Sequence, residues 1–530
     1  MLLALFLAQL HLISGEAVGK VGFDSSRKEW ILRSGNVEYK LGENNGIVYL
    51  EYFGPAGQPR WEAREAAAGA PTPSPARYEI AGTAEGEALN PEDLRLISQS
   101  TSNRSNDVDE LELVYRHSRL PLQITVKYST WAETGVLTRQ VTLLNKGAQT
   151  LRVESLPSLA LQLPKGKYEL TYLWGGWGHE RQLAFEALSA GERSFVSTRG
   201  RSTNGYSPWF CLRSETLGVR FLAQLAYSGN WQMSFYERYH LNFAKPEVRE
   251  WARSIIDRLV KDYGIEWLKI DYNIDIGDRF DPPGLMERHG HVLYDHLSSY
   301  YKWLDDLRVA YPSLVIENCS SGGTRFDLGI MAHTHTTWLS DEVRPLQSVQ
   351  LGYGCSVEFI PEVCNHWMVG DKDNGEIALS NPPGWWEFML RVPMGGQFGI
   401  SSRVLDWNAD LIKTVSEGVA LYKRIRRVIR GSDVYYLTPQ PSHENPTGWC
   451  ALQFVSANQK ESVLMAYRLG NSDAMKVFKL RGLDPAKSYR ISLDGINQGE
   501  VGGETLSTSG FQIYRKDEWR AAVVELQEGP

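Results

Sequence analysis

Cysteine is scarce in this chain. Its 530 residues include five: Cys211, Cys319, Cys355, Cys364 and Cys450. None stands in a Cys-x-x-Cys pair, so zinc-ribbon and thioredoxin-type redox chemistry lack their ligand pattern. Five is an odd number, so at least one thiol is free or bonded to another chain. Cys355 and Cys364 could bridge in an oxidising compartment; isolated buried thiols are the plainer reading. There is no apolar run of the roughly 18 residues that a membrane helix needs. There is no basic run, and the net charge is -7, which opposes binding to nucleic acid or to an anionic membrane surface. No internal repeat is visible.

The length asks for two or three domains with an ample core. Tryptophan (17) and tyrosine (25) are plentiful; aromatic faces fill cores and also stack on sugar rings. Met1 to Ile13 is apolar and runs into Ser14-Gly15-Glu16-Ala17. That pattern reads as a signal peptide over residues 1–17, without the usual positive start. It predicts a secreted or periplasmic protein; a buried N-terminal element in a cytoplasmic one is the alternative.

The texture of the chain changes twice. Residues 18–232 read as an N-terminal β-sandwich. Val37–Leu41, Leu111–Tyr115, Leu122–Val126 and Leu137–Leu143 are β-rich or alternating, with a turn signal at Asn145-Lys146-Gly147 and a loop over Ala66–Ala76. Residues 233–431 alternate helix and strand. Helices are predicted over Pro246–Tyr263 and His291–Ala310. Strands are predicted near Ile265–Ile270, Leu314–Glu317, His335–Leu339, Val357–Ile360 and Gly396–Ser401. Such alternation indicates a parallel sheet or a (β/α) barrel. Residues 432–530 return to strands, at Val434–Leu437, Ala451–Val455, Ser462–Tyr467 and Tyr489–Leu493. The fold class expected is therefore multidomain α/β plus β: sandwich, (β/α) barrel, C-terminal antiparallel β domain.

Two aspartates, Asp271 and Asp341, each follow an apolar strand pattern. Paired carboxylates at strand ends are what retaining glycoside hydrolysis requires, one as nucleophile and one as acid/base. Lys269, Asp271 and Asn273 fall on one strand face at period two. An ammonium and an amide donor there favour the ionised carboxylate. Asp341 is expected to be poorly solvated, as suits a proton donor. Between the two lies Glu317-Asn318-Cys319-Ser320-Ser321-Gly322-Gly323-Thr324-Arg325, a strand end opening into a glycine loop. Arg325 and Asp327 read as a salt bridge behind that loop. His333 and His335 share a face, but a third metal ligand is not evident. Trp385-Trp386 reads equally as an aglycone subsite or as core. Asn103 and Asn318 match glycosylation sequons by pattern alone.

Three segments resemble glycoside hydrolase family 36, the microbial and plant-type α-galactosidases. Lys269-Ile270-Asp271-Tyr272-Asn273 resembles its nucleophile strand. Cys319-Ser320-Ser321-Gly322-Gly323-Thr324-Arg325-Phe326-Asp327 resembles its Cys-Ser-x-Gly-Gly-x-Arg-Phe-Asp loop, and Trp338-Leu339-Ser340-Asp341 its acid/base strand. The resemblance implies a retaining α-galactosidase, with Asp271 as nucleophile and Asp341 as acid/base. It implies sugar-binding roles for Lys269, Asn273, Cys319, Gly322 and Trp338, and Arg238 is a candidate match to a substrate-binding arginine. The small Cys319 and the glycine loop favour a sugar with a 2-hydroxyl. No metal or organic cofactor is implied. The partner would be an α-galactoside oligosaccharide or glycan, and a homo-oligomer stays open. The alternatives are an α-N-acetylgalactosaminidase, a raffinose-synthase-like transglycosidase and a catalytically impaired sugar-binding remnant.

The chain departs from that family in one place. An eight-stranded barrel with its nucleophile on the fourth strand needs three βα units before Asp271. Here Ser228-Gly229-Asn230-Trp231, which resembles the end of the family's β domain, lies about forty residues before Asp271, and one helix fills the interval. About five barrel strands are expected, so the barrel is read as incomplete.

Overall fold

The computed structural model describes residues 2–7, 20–58, 61, 77–78, 80–132, 134–161, 163–164, 166–188, 193–195, 201–225, 241–273, 289–370 and 383–529. Arg238, the Ser228–Trp231 junction and the Ala66–Ala76 loop lie outside them.

The N-terminal half is a sandwich of antiparallel sheets. One has nine strands, in the order Gln182–Ala187, Tyr168–Gly175, Gly205–Ser214, Val219–Leu225, Leu2–Leu7, Val136–Asn145, Leu122–Trp131, Val108–His117 and Leu94–Ser105. The apolar N-terminal run thus contributes a strand paired on both sides. The facing sheet has five strands between Lys20 and Tyr78. Alternation decides which side chains meet. Leu111, Leu113, Ile124, Val126, Leu137 and Val141 face Trp30, Leu32, Tyr39, Leu41, Leu50 and Phe53 in one core. The predicted turn is an Asx turn, Asn145 Oδ1 accepting from the Gly147 N–H at 2.9 Å.

The central region is α1 (Pro246–Tyr263), β1 (Trp267–Asp271), α2 (His289–Ala310), β2 (Val315–Cys319), α3 (Leu328–Met331), β3 (Thr336–Trp338), α4 (Pro345–Glu358), β4 (Cys364–Val369), α5 (Pro383–Arg391), β5 (Gln397–Ser401) and α6 (Ala409–Ile429). Proline opens α1, and Gly264, left-handed at φ 67°, closes it by donating to the carbonyls of Leu259 and Val260. The strands form one parallel sheet in the order β1-β2-β3-β4-β5. Among the described residues β1 and β5 are its edges. The strand predicted at Val357–Ile360 is instead the end of α4 and the loop beyond it. Phe359 stacks on Phe326 with ring centroids 3.9 Å apart, and Pro361 holds Ile360 extended. The β-branched signal yields to packing, and the strand forms four residues later.

The C-terminal domain is a six-stranded antiparallel sheet between Ser432 and Glu528 beside a two-stranded one. Trp449–Ser456 is buried on both faces. Cys450, Leu452 and Phe454 pack on α5 and α6, while Trp449, Ala451 and Val455 face the domain's own core. All five cysteine thiols are free; Cys364 Sγ contacts the carbonyl of Ile360 at 3.5 Å.

Candidate active site

Parallel register brings the singled-out residues to one end of the sheet. Lys269 lies beside Glu317 and Asp271 beside Cys319, and Asn318 beside Thr337. Trp338 lies beside Asn365. Along each strand, alternate residues share a face. Lys269 Nζ lies 3.5 Å from Glu317 Oε1 and 4.3 Å from the Trp338 ring centroid, with Trp367 at 5.8 Å. Glu317 is buried and fully used: Oε1 also accepts from Asn365 Nδ2 at 3.0 Å and Oε2 from Trp267 Nε1 at 2.8 Å.

Asp271 Oδ2 accepts from Asn273 Nδ2 at 2.9 Å. The amide's other end, Oδ1, accepts from the Ser321 N–H at 2.5 Å, so the glycine loop orients the group that holds Asp271. Burial pushes the Cys319 thiol up, and the neighbouring Asp271 carboxylate, its hydrogen-bond acceptor, pushes it further; Lys269 opposes. Cys319 therefore stays protonated beside Asp271 and is a poor nucleophile.

Asp341 is gripped by two indoles. Trp338 Nε1 donates to Oδ1 at 3.1 Å and Trp177 Nε1 to Oδ2 at 2.9 Å. Contrary to the expectation of poor solvation, Asp341 is exposed. β3 ends at Trp338, and the chain beyond it leaves the sheet, so neighbouring strands do not cover the carboxylate. Trp338 is the link between the halves of the site, lying against Lys269 on one side and donating to Asp341 on the other.

The loop after β2 is packed, not free. Gly322 has φ 74°, and a Cβ there would sit 2.6 Å from the Asp341 nitrogen; one on Gly323 would sit 2.4 Å from the Leu339 carbonyl oxygen. These glycines let the loop lie on the backbone that carries Asp341. Asp327 caps α3 through the amides of Gly329 and Ile330 and accepts from Ser202 Oγ. Arg325 lies over the Tyr272 ring at 4.3 Å and acts on Asp327 electrostatically, so the expected salt bridge gives way to a cap and a cation–π contact. His333 Nδ1 meets Asp305 at 2.9 Å, and His335 Nδ1 accepts from the Ile316 N–H. Among the described residues no cluster of three or more His, Cys, Asp or Glu could hold a metal ion. Asn318 is buried, its amide donating to Arg325 O and Thr337 Oγ1, which leaves that sequon inaccessible. Trp386 is core and Trp385 stacks on Phe388.

The N-terminal sandwich supplies residues to this end of the sheet that the strand motifs do not announce: Trp177, Glu180, Arg181 and, around the glycine loop, Ser202 and Thr203. The available signal was Gly175-Gly176-Trp177-Gly178-His179-Glu180-Arg181, where glycines space an aromatic and charged residues after a strand.

Three family models match in chain order: the glycosyl hydrolase family 36 N-terminal domain over residues 54–242, melibiase over 227–431 and the family 36 C-terminal domain over 449–526. The chain belongs to glycoside hydrolase family 36. A probable α-galactosidase C of Aspergillus flavus is 28% identical over 291 residues, 54% of this chain and 36% of the relative. The match thus spans about a third of that curated relative's length. A family 36 α-galactosidase of Geobacillus stearothermophilus shares the fold with a TM-score of 0.79 at 17% identity, over 96% of this chain and 100% of that one. A second Geobacillus stearothermophilus enzyme, a variant solved in complex with raffinose, matches with a TM-score of 0.78 at 17% identity, over 95% and 100% of the two chains. As a family 36 member, the chain has the architecture that its segments predicted: antiparallel sheets, a central α/β region and a C-terminal antiparallel domain.

Proposed function

We propose that the chain is a retaining α-galactosidase that releases terminal non-reducing α-D-galactosyl residues by double displacement. The observation that carries this reading is the pair Asp271 and Asp341, projecting from the same end of one parallel sheet and tied together through Cys319, Lys269 and Trp338. An Asp271 oxygen attacks the anomeric carbon as the bond to the leaving oxygen breaks, and that oxygen takes the proton of Asp341. A β-galactosyl ester remains. Asp341, now a carboxylate, removes a proton from water; the water oxygen bonds to the anomeric carbon and Asp271 is released. Lys269, Asn273 and Trp338 hold the sugar or the nucleophile. The relative's raffinose complex supports an oligosaccharide of that kind as substrate.

Turnover of an aryl α-galactoside by the purified chain tests this. Asp271→Ala is expected to abolish turnover, and azide should then yield β-galactosyl azide. Asp341→Ala is expected to lose about 10²–10⁴-fold, with azide yielding the α-anomer. Inversion of the first sugar product, followed by NMR, would sink the retaining reading. The unpaired edge of β1 among the described residues favours one other reading, a sugar-binding remnant. Galactose binding without turnover, unchanged in Asp271→Ala, would establish it.

A further inference from the structure

Trp177, Glu180 and Arg181 are set within five residues of one loop of the N-terminal sandwich, and all three reach the segment that carries Asp341 or the loop beneath it. Trp177, 61% exposed, donates its indole N–H to Asp341 Oδ2 at 2.9 Å. Glu180 is 1% exposed. Its Oε2 accepts from Ser340 Oγ at 2.7 Å, and Ser340 Oγ in turn accepts from the Glu342 N–H at 3.1 Å. One carboxylate therefore holds the residues on both sides of Asp341. Arg181 Nη1 and Nη2 donate to the carbonyls of Gly323 and Phe326 at 3.2 and 2.8 Å, fixing the loop on which the Asp341 backbone rests.

Glu180 is a costly way to hold a serine. Its Oε1 is buried without a hydrogen-bond partner, and burial raises its pKa to about 7 against the pull of Ser340, nearby loop amides and Arg181. Leaving a buried carboxylate half satisfied destabilises a fold, and groups of that kind concentrate at functional sites.

We infer that Trp177 and Glu180 are positioning residues for Asp341: Glu180 sets the backbone on either side of it through Ser340, and Trp177 sets the direction of its carboxylate. The proposal rests on Asp341 being the acid/base. Acid assistance matters most when the leaving group is poor, so misplacing the acid harms an alkyl galactoside more than a dinitrophenyl galactoside. A general loss of fold harms both alike.

The test compares kcat/KM on these two substrates. Glu180→Leu and Trp177→Phe are expected to lose about tenfold or more on the alkyl galactoside and much less on the dinitrophenyl one. Glu180→Gln, whose amide oxygen can still accept from Ser340, should restore most of that loss. Equal losses on both substrates, or none, would overturn the proposal. Asp341→Ala run alongside separates the two readings, because absence of leaving-group dependence there removes the acid/base role itself. If Glu180→Leu does not fold, Trp177→Phe carries the same comparison. If the wild type does not turn over, the ¹⁵N-indole resonance of Trp177, assigned by its loss in Trp177→Phe, replaces kinetics. It should move in both Asp341→Asn and Glu180→Leu, and a resonance unmoved by Glu180→Leu counts against the proposal.

Discussion

Asn273 donates to Asp271 and accepts from the Ser321 amide, so its side chain has one orientation that satisfies both ends. Asn273→Ala removes a hydrogen bond to a carboxylate, worth about 1.5–3 kcal/mol. We expect kcat/KM on an aryl α-galactoside to fall about tenfold or more while the melting temperature barely moves; a large fall in melting temperature would instead make Asn273 a structural brace. Gly322→Ala fails for a different reason. Its φ of 74° and the 2.6 Å approach to the Asp341 nitrogen impose strain of about 1–2 kcal/mol and push on the Asp341 backbone. Turnover should drop in a protein that still folds, and wild-type activity would show that the loop can yield. Lys269, Asp271 and Asn273 were legible as a set because a strand repeats every two residues. Trp177 was not, because its partner lies 164 positions away.

Helix α4 ends in Glu358, which pairs with Arg181 at 3.0 Å, both side chains being almost fully buried. Arg181 also covers the Phe326 ring at 4.3 Å, so one residue of the sandwich joins α4 to the glycine loop. Arg181→Met takes the counter-charge from Glu358, whose pKa burial already raises to about 7, and breaking this buried pair costs about 3–5 kcal/mol. The urea midpoint should fall, and the double variant Arg181→Met/Glu358→Leu should recover part of it. A double variant no better than the single one would show that the carbonyl bonds to Gly323 and Phe326 dominate. The elements themselves were largely readable. Proline before an amphipathic run and glycine after it bound α1 at Pro246 and Tyr263. The error at Val357–Ile360 arose at a helix end, where Val357 packs on the core shared with α5 and α6, Phe359 stacks on Phe326, and Ile360 is left exposed.

The parallel sheet, the sandwich and the C-terminal domain share buried faces, and a buried histidine in the sheet is a test of their joint stability. His366 in β4 is buried, which lowers its pKa to about 4. The native state thus binds the proton less readily than the unfolded chain, whose histidine titrates near 6.5. Stability from this group is complete above about pH 6.5 and is lost as pH falls toward 4, by roughly 3 kcal/mol. Glu180, raised to about 7, acts in the opposite sense: its contribution is lost as pH rises from about 4.5 through 7. Melting temperature followed from pH 7 to 4 should fall less steeply in His366→Gln than in the wild type; parallel curves would rule out His366 as the acid-sensitive group.

Local pattern was enough for the kind of structure in each third of the chain. Alternation, capping residues and strand-end aspartates act over a few residues, and their physics is local. Three short motifs identified the family for the same reason. Tertiary structure alone decided what surrounds the aspartates. Parallel register put Cys319 beside Asp271, the early end of β3 left Asp341 open to solvent, and a sandwich loop supplied Trp177, Glu180 and Arg181. Each of these depends on which distant backbone lies alongside, and that is set by the burial of whole faces, beyond the reach of any window of sequence.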